Sequence, residues 1–529
     1  MLKKMFYSIL LYLLLFCFVL HPGLVSAGPD DSVKVGIDSD ISTVNILEFK
    51  LALELPVITT MHEGLMGSDP VTGKYDKGLA ASIKILENRK DIKVTIEKGH
   101  TFHTGDPVTA HDVKWTYAQI SNPENSCIMA GAVEEIEEID VLDDHTLIFR
   151  FYEPYGPWTE LMWIGICSKN YFEKVGREEF RKKPVGSGAF RFVDREPGEY
   201  VTLEAVDNYL YKEPVHDKKT MKRIKWTKKK LDYKTLKFLT VTDKITQLAM
   251  LETGELDLIT GVMPHFVKRL ERNPKIKVKR ISKVPSLTGL SLQTDTYPIW
   301  KDRNIRLALR YAIDKQAIVD RVFLGEGYPL YEFISRGERG YDPNVKFEFD
   351  PEKSRKLVKT SSYVPGTPMV LSYTSASPTA PLVSTILQKY LQDIGLTVKL
   401  QQLETGTAAT YARTKDRRLG HMSMYTWDGG RDPNLRLMLG VLSDSEYAEW
   451  SDRPDKEKLD KLILAQRIEP DRKKRLALIK AAYALMRKEP GGQVLFGLNQ
   501  IYAMRNRIDY TWTPMEGLVF NLHRVKIVK

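Results

Sequence analysis

The stretch Tyr425-Thr-Trp-Asp-Gly-Gly-Arg-Asp-Pro433 gathers an indole, two carboxylates and a guanidinium on one short segment. Gly429 and Gly430 let the backbone bend where a side chain would clash, and Pro433 fixes the exit. His421–Tyr425 reads as a short strand before this segment and Leu435–Gly440 as a helix after it. Tyr425, Trp427, Asp428, Arg431 and Asp432 would then meet at the end of a strand, where open α/β sheets bind ligands. Two readings compete. In one, Arg431 clamps a carboxylate or phosphate with its planar fork and Trp427 stacks on a flat group. In the other, the segment is a solvated turn whose aspartates and arginine neutralise each other. Asp38 and Asp40, at the end of the strand-like run Val33–Asp38, join the candidate ligand contacts.

Three imidazoles, His100, His103 and His111, crowd one turn and invite a metal reading. Their spacing matches neither a helical pair at i, i+4 nor a zinc-finger pattern, so a structural role is expected and no metal or other cofactor is called for. The chain carries no Gly-x-Ser-x-Gly elbow, no His-Glu-x-x-His and no phosphate loop ending in lysine. Gly186-Ser-Gly188 lacks the lysine and leads into a strand-like run, which makes it a tight turn. An exported hydrolase is the enzyme alternative, and no catalytic constellation supports it.

Several elements must position these residues. Ile305, Ala308, Leu309, Ala312 and Ile313 form one helical face. Met369–Thr374 and Thr397–Leu403 read as strands around a helix carrying Val383, Ile386, Leu387, Tyr390, Leu391 and Ile394. That is a βαβ unit, closed by Gly395 as C-cap. Ile83–Ile85 and Val94–Ile96 alternate as strands. Thr109 caps a following helix, with Asp112 three residues on. Phe49–Met66 reads as a helix, Asp69–Gly73 as a turn, Pro454–Met486 as helical, and Gln493–Ala503 as a final strand.

With 529 residues, 43% hydrophobic and 10% aromatic, the chain is an ordered protein of about three domain-sized units. Lys3 and Lys4, the apolar run Met5–Leu20, Pro22-Gly23 and Val25-Ser-Ala27 have the order of a secretory signal peptide, residues 1–27. Its removal lowers the formal charge from +11 to +9 by taking away Lys3 and Lys4. Basic density at Lys218–Lys230 is expected to be a solvated face rather than a nucleic-acid patch. Cys127 and Cys167 remain after export, and an oxidising compartment favours a disulfide between them over two buried thiols.

The run from Glu63-Gly-Leu65 through Gly78-Leu-Ala-Ala-Ser82 to Lys98-Gly-His-Thr-Phe-His-Thr-Gly-Asp-Pro-Val-Thr-Ala-His-Asp-Val113 resembles the family 5 extracellular solute-binding proteins of bacterial ABC importers. Pro184-Val-Gly-Ser-Gly-Ala-Phe190, Pro197-Gly-Glu-Tyr200, Leu251-Glu-Thr-Gly-Glu-Leu-Asp-Leu258 and Arg303-Asn-Ile-Arg-Leu-Ala-Leu-Arg-Tyr-Ala-Ile-Asp-Lys315 continue the resemblance in order. It implies an α/β, two-lobed periplasmic-binding-protein-like fold (type II) with an extra domain inserted in the first lobe. Carried over by motif order, the first lobe takes 28–60, 185–283 and 496–529, the insert 61–184 and the second lobe 284–495. Chain crossings near Val284-Pro-Ser286 and Val494–Gly497 would form the hinge, and the histidine turn would lie in the insert, away from the cleft. The resemblance further implies a monomer, exported to the periplasm, that captures a small solute and delivers it to a membrane ABC permease. A peptide is favoured over an oligosaccharide or metal chelate, and an extracellular sensor or chaperone is the rival role. In peptide-binding relatives an aspartate four residues before the proline pairs with the peptide ammonium. Gly429 occupies that place here, with Asp428 one residue earlier.

Overall fold

The computed structural model describes residues 31–69, 75–217, 219–220, 223–374, 377–445, 447–448, 450–512 and 522–528. The expected signal peptide, most of the turn Asp69–Gly73, and Lys218 and Lys222 lie outside them.

Three sheets organise the chain. The first has seven strands in the order Ile276–Ile281, Gln500–Arg505, Leu258–Thr260, Ser32–Ile37, Thr235–Thr240, Tyr200–Ala205 and Phe190–Glu196. Its central three strands run parallel and its flanks antiparallel. The second sheet orders Gly327–Pro329, Gln493–Leu498, Ser286–Leu292, Met422–Asp428, Pro368–Thr374 and Thr397–Leu403. The third is an antiparallel four-stranded sheet, Ala80–Ile85, Ile92–Ile96, Thr146–Phe151 and Ile136–Asp143.

Each sheet has its own core. Val35, Leu203, Phe238 and Met504 fill the first. Leu290, Leu309, Leu371, Leu387 and Phe496 fill the second. Val94, Val113, Phe149 and Phe180 fill the third. Burying a side chain of this size contributes about 1.5–3 kcal/mol, so each layer is held largely by its own apolar contacts. The chain passes from the first sheet to the second between Ile281 and Ser286, and returns between Leu498 and Gln500. The stretch Gln493–Ala503 is therefore two strands in two sheets, parted at Asn499, and Phe496–Leu498 stay with the second sheet.

Local chemistry explains most elements. Thr109 and Asp112 make the reciprocal capping box of helix Ala110–Ser121. Pro368–Thr374 and Thr397–Leu403 pair in parallel around helix Ala380–Asp393. Gly395 follows that helix with φ of 97°, a backbone conformation that glycine adopts without strain. Two readings shrink or split. Only Leu55–Met61 of Phe49–Met66 is α-helical, and Pro454–Met486 is two helices, Lys456–Arg467 and Arg472–Lys488. At Gly186 and Gly188 an added Cβ would come 2.1 Å from the Met61 carbonyl oxygen and 2.6 Å from its carbon. The glycines are there to let the turn pack on that helix.

The expected disulfide is absent. Cys127 and Cys167 are separate free thiols in the core of the inserted domain. Cys127 Sγ lies 3.7 Å from the Ile46 carbonyl oxygen, and the Cys167 backbone N–H donates to the Thr116 hydroxyl at 3.1 Å. Burial pushes the Cys127 thiol up to about 11 and the Cys167 thiol well above its ordinary value. Both thus stay protonated and poor in exchange. In unreduced protein, mass spectrometry should find neither thiol alkylated in the native state and both alkylated after denaturation; a mass two hydrogens lower, with no alkylation, would show the bridge.

Candidate functional site

Between the lobes lies a cavity of about 1500 Å³. Ordinary small-molecule sites are about 300–1,000 Å³, so this one has space for an extended solute of several residues. Asp428, Arg431, Leu435 and Leu439 of the second lobe wall one side. Glu63, His100, Ile128 and Glu160 of the inserted domain face them, and Tyr209, Lys212 and Arg524 of the first lobe close the third side.

The strand from Met422 runs on to Asp428, three residues further than expected, so the recognition loop contracts to residues 429–433. Alternation then decides which side chains reach the cavity. Tyr425 and Trp427 share the opposite face. Tyr425 lies over Gly289, where a Cβ would come 2.4 Å from its hydroxyl oxygen. Trp427 packs edge-on against Phe333 with ring centroids 5.8 Å apart. Neither lines the cavity; for the indole, packing has taken the place of stacking on a ligand. Asp428, exposed at the strand's end, does line it.

Arg431 and Asp432 are both buried in the cavity wall. Arg431 Nη2 donates to Ser68 Oγ at 2.7 Å, and its guanidinium lies 4.7 Å from the Tyr75 ring centre. The second lobe thereby reaches the inserted domain. Asp432 takes a bidentate bond from Arg475 on helix Arg472–Lys488, one arm of it 2.6 Å, and Arg339 stands 3.4 Å away. Its other role is local, since it accepts the Asn434 N–H at 2.9 Å at the start of helix Asn434–Gly440. Burial works to raise its pKa, but the bond and charge of Arg475 outweigh this and hold the carboxyl below its ordinary range. Gly429 is fixed by crowding: a Cβ there would meet Arg436 Nη2 at 2.9 Å. Arg436 and Glu338 form a fully buried pair at 2.8 Å directly behind the loop.

Glu160 marks one polar end of the cavity. Burial, then the nearby Asp432 carboxylate, push its pKa up to about 7. Its Oε1 is buried without a hydrogen-bond partner among the described residues. The other end holds Glu63, which accepts the Tyr209 hydroxyl at 2.7 Å and lies 3.7 Å from His100, beside the pair Glu97–Lys212. The histidine turn is therefore not remote from the cleft: His100 and His103 line it, whereas His111 faces Asp144 at 3.7 Å outside it. The His103 ring lies 3.0 Å from the Gly188 carbonyl oxygen, and burial lowers its pKa to about 4. Among the described residues no group of three potential ligands is placed to hold a metal ion.

One further expectation changes. Asp38 and Asp40 are absent from the cavity wall; they pair with Lys244 at 2.8 Å and Arg195 at 3.3 Å on the first lobe's surface. The basic run forms half of a two-stranded hairpin, Leu210–His216 with Arg223–Lys230; Arg223, Lys225, Lys228, Lys229 and Lys230 are exposed, as a solvated face requires, and Trp226 and Lys228 also line the cavity. Sequence reasoning did not single out Glu160, Tyr75, Arg475 or the Arg436–Glu338 pair. Each is an isolated residue in a charged or mixed segment, without a spacing that signals its role.

Replacing Arg475 by alanine removes the bidentate partner of the buried Asp432 carboxylate and leaves it only the longer contact to Arg339, which costs up to about 3–5 kcal/mol. Urea unfolding should show that loss for Arg475→Ala. The raised Glu160 pKa also has a definite sign. Between about 4.5, its ordinary value, and about 7 the folded chain holds a proton that the unfolded chain has released. This site's contribution to stability therefore falls as pH rises through that window. Glu160→Gln should flatten the decline, read as thermal midpoint against pH.

Comparison with known proteins places the chain. The family described as bacterial extracellular solute-binding proteins, family 5 Middle, matches residues 74–448. The oligopeptide-binding protein AppA of Bacillus subtilis is 24% identical over 355 residues, which are 62% of this chain and 61% of that protein. The dipeptide-binding protein of Escherichia coli is 24% identical over 476 residues, 82% of each chain. Among solved structures, the ABC transporter substrate-binding protein CtaP of Listeria monocytogenes superposes with a TM-score of 0.81 at 20% identity, covering 94% of this chain and 99% of that one. Sheets, crossings and interlobe cavity are thus those of a two-lobed binding protein, and the chain belongs to the bacterial extracellular solute-binding proteins of family 5.

Proposed function

We propose that this chain is exported to the periplasm, binds a peptide between its lobes and delivers it to a membrane ABC importer. The observation that carries this reading is the interlobe cavity of about 1500 Å³ with both carboxylates and cations in its lining. A peptide presents an ammonium, a carboxylate and a row of amides, and such a wall answers all three. Asp428, at the free end of its strand, and Glu160 are suited to the ammonium. Lys212, Lys228 and Arg524 are suited to carboxylates. Leu435, Leu439 and Ile128, all exposed, offer apolar surface to side chains. The relatives named for oligopeptides and dipeptides favour the same ligand class. The hinge is taken to be the two crossings, 282–285 and Asn499.

Mass spectrometry of material released by denaturing the purified protein, followed by calorimetry with the recovered solute, tests this. Peptides are expected, and Asp428→Asn and Arg431→Ala should each weaken their binding about tenfold, or 1.4 kcal/mol. Failure of a mixed peptide library to bind, with a sugar or metal chelate recovered instead, would overturn the peptide reading.

A further inference from the structure

Inside the second lobe lies another cavity, of about 90 Å³, that shares no lining residue with the large one. It is bounded by Arg310, Trp450, Arg453, Tyr483, Pro490–Gly492 and the ion pair of Arg487 with Glu332. A single water needs about 10–15 Å³, so a tetrahedral oxyanion and some water fit.

Its charge is uneven. Five arginines converge on the last turn of helix Arg472–Lys488 and the residues after it. Arg303 donates to Glu489 at 2.8 Å and to the Lys488 carbonyl at 3.1 Å. Arg306 donates to Glu489 at 2.9 Å and to the Pro490 carbonyl at 2.8 Å. Arg453 donates to Asp455 at 2.5 Å and to the Glu489 carbonyl at 3.1 Å. Arg487 bonds Glu332. Arg310 places both terminal nitrogens 3.1 Å from the Arg487 carbonyl, and among the described residues no carboxylate lies within ion-pair distance of it. Arg303 is exposed at the surface; Glu489, Asp455 and Glu332 pair with Arg306, Arg453 and Arg487, which leaves the charge of Arg310 in excess. The Tyr483 hydroxyl, almost fully buried on the cavity wall, has no hydrogen-bond partner among the described residues.

Arg310 is half-buried and lacks a counter-charge, which is costly, and a partly desolvated guanidinium binds paired oxygens better than a spherical ion. We propose that this cavity is a binding site for a small inorganic oxyanion of the phosphate type, held by Arg310 and Arg453 with Tyr483 as a third donor. Burial already draws the Arg310 pKa down to about 10, the direction that loss of solvent without an anionic partner requires. The anion would join helix Arg472–Lys488 to the sheet at Gln493 and Val494, so occupancy stabilises the second lobe by mass action.

The test uses the purified full-length chain, inorganic phosphate as probe and sodium chloride at matched ionic strength as control. Thermal midpoint and calorimetry are the readouts. Millimolar phosphate should raise the midpoint above the chloride control. Arg310→Met and Tyr483→Phe should weaken phosphate binding, the former about tenfold, with peptide affinity unchanged in both. A wild-type chain that responds equally to phosphate and chloride would overturn the site, as would variants that titrate like wild type. Should Arg310→Met fail to fold, Tyr483→Phe decides alone, because it removes only a hydroxyl. Since the cavity is separate from the cleft, its failure would leave the peptide reading untouched, and the reverse holds too.

Discussion

The bidentate bond between Arg475 and Asp432 is the constraint on which the second-lobe wall of the cleft depends. Loop 429–433 carries few apolar contacts of its own. Its geometry is fixed because one end continues a sheet strand and the other is anchored through a buried charge pair to a long helix. Breaking such a pair costs more than the pair contributes, since the remaining charge stays desolvated. With Asp432 committed to Arg475 and to the start of helix Asn434–Gly440, Arg431 is aimed at the inserted domain and Asp428 at the cavity. The loop is therefore held firmly in the cavity wall at both ends.

Rigidity on each wall leaves motion to the crossings. The two passages between the first and second sheets are short, and the cores on either side are separate. Two bodies joined in this way can close by small backbone rotations that disturb neither core. A solute drives closure only by the difference in its affinity for the two states, so groups contributed by opposite walls matter most. Asp428, Arg431, Glu160 and Glu63 all line the cavity and come from different parts of its wall. Ser68, Tyr75 and Glu160 also bring the inserted domain into the cleft's polar chemistry, alongside the two lobes.

Periodic elements were legible in the sequence. Helix Arg303–Ala312 and strand Thr397–Leu403 follow from one buried face and from alternation. The family followed from motifs in order, and with it the two-lobed fold. Four things were not legible, each for a physical reason. Alternation says which face of a strand is buried but not which sheet it joins, so Gln493–Ala503 read as one strand although the chain changes sheet at Asn499. The side chains of Tyr425 and Trp427 looked like ligand groups because aromatic residues serve both in packing and in recognition; only the strand's extension to Asp428 assigns their face. Arg475 lies in a charged helix and looks solvated, while its partner is 43 residues away, a pairing that no local pattern encodes. The cysteine pair failed similarly: an even count permits a bridge, but packing placed both thiols in the core as separate groups.

The central claim is that a peptide is held between two lobes that close on it. Small-angle X-ray scattering of the ligand-free chain and of the same chain saturated with the peptide recovered from it tests this directly. A fall in the radius of gyration on saturation, reversed when the peptide is removed, is the predicted result. An unchanged radius of gyration at full occupancy would contradict capture by closure.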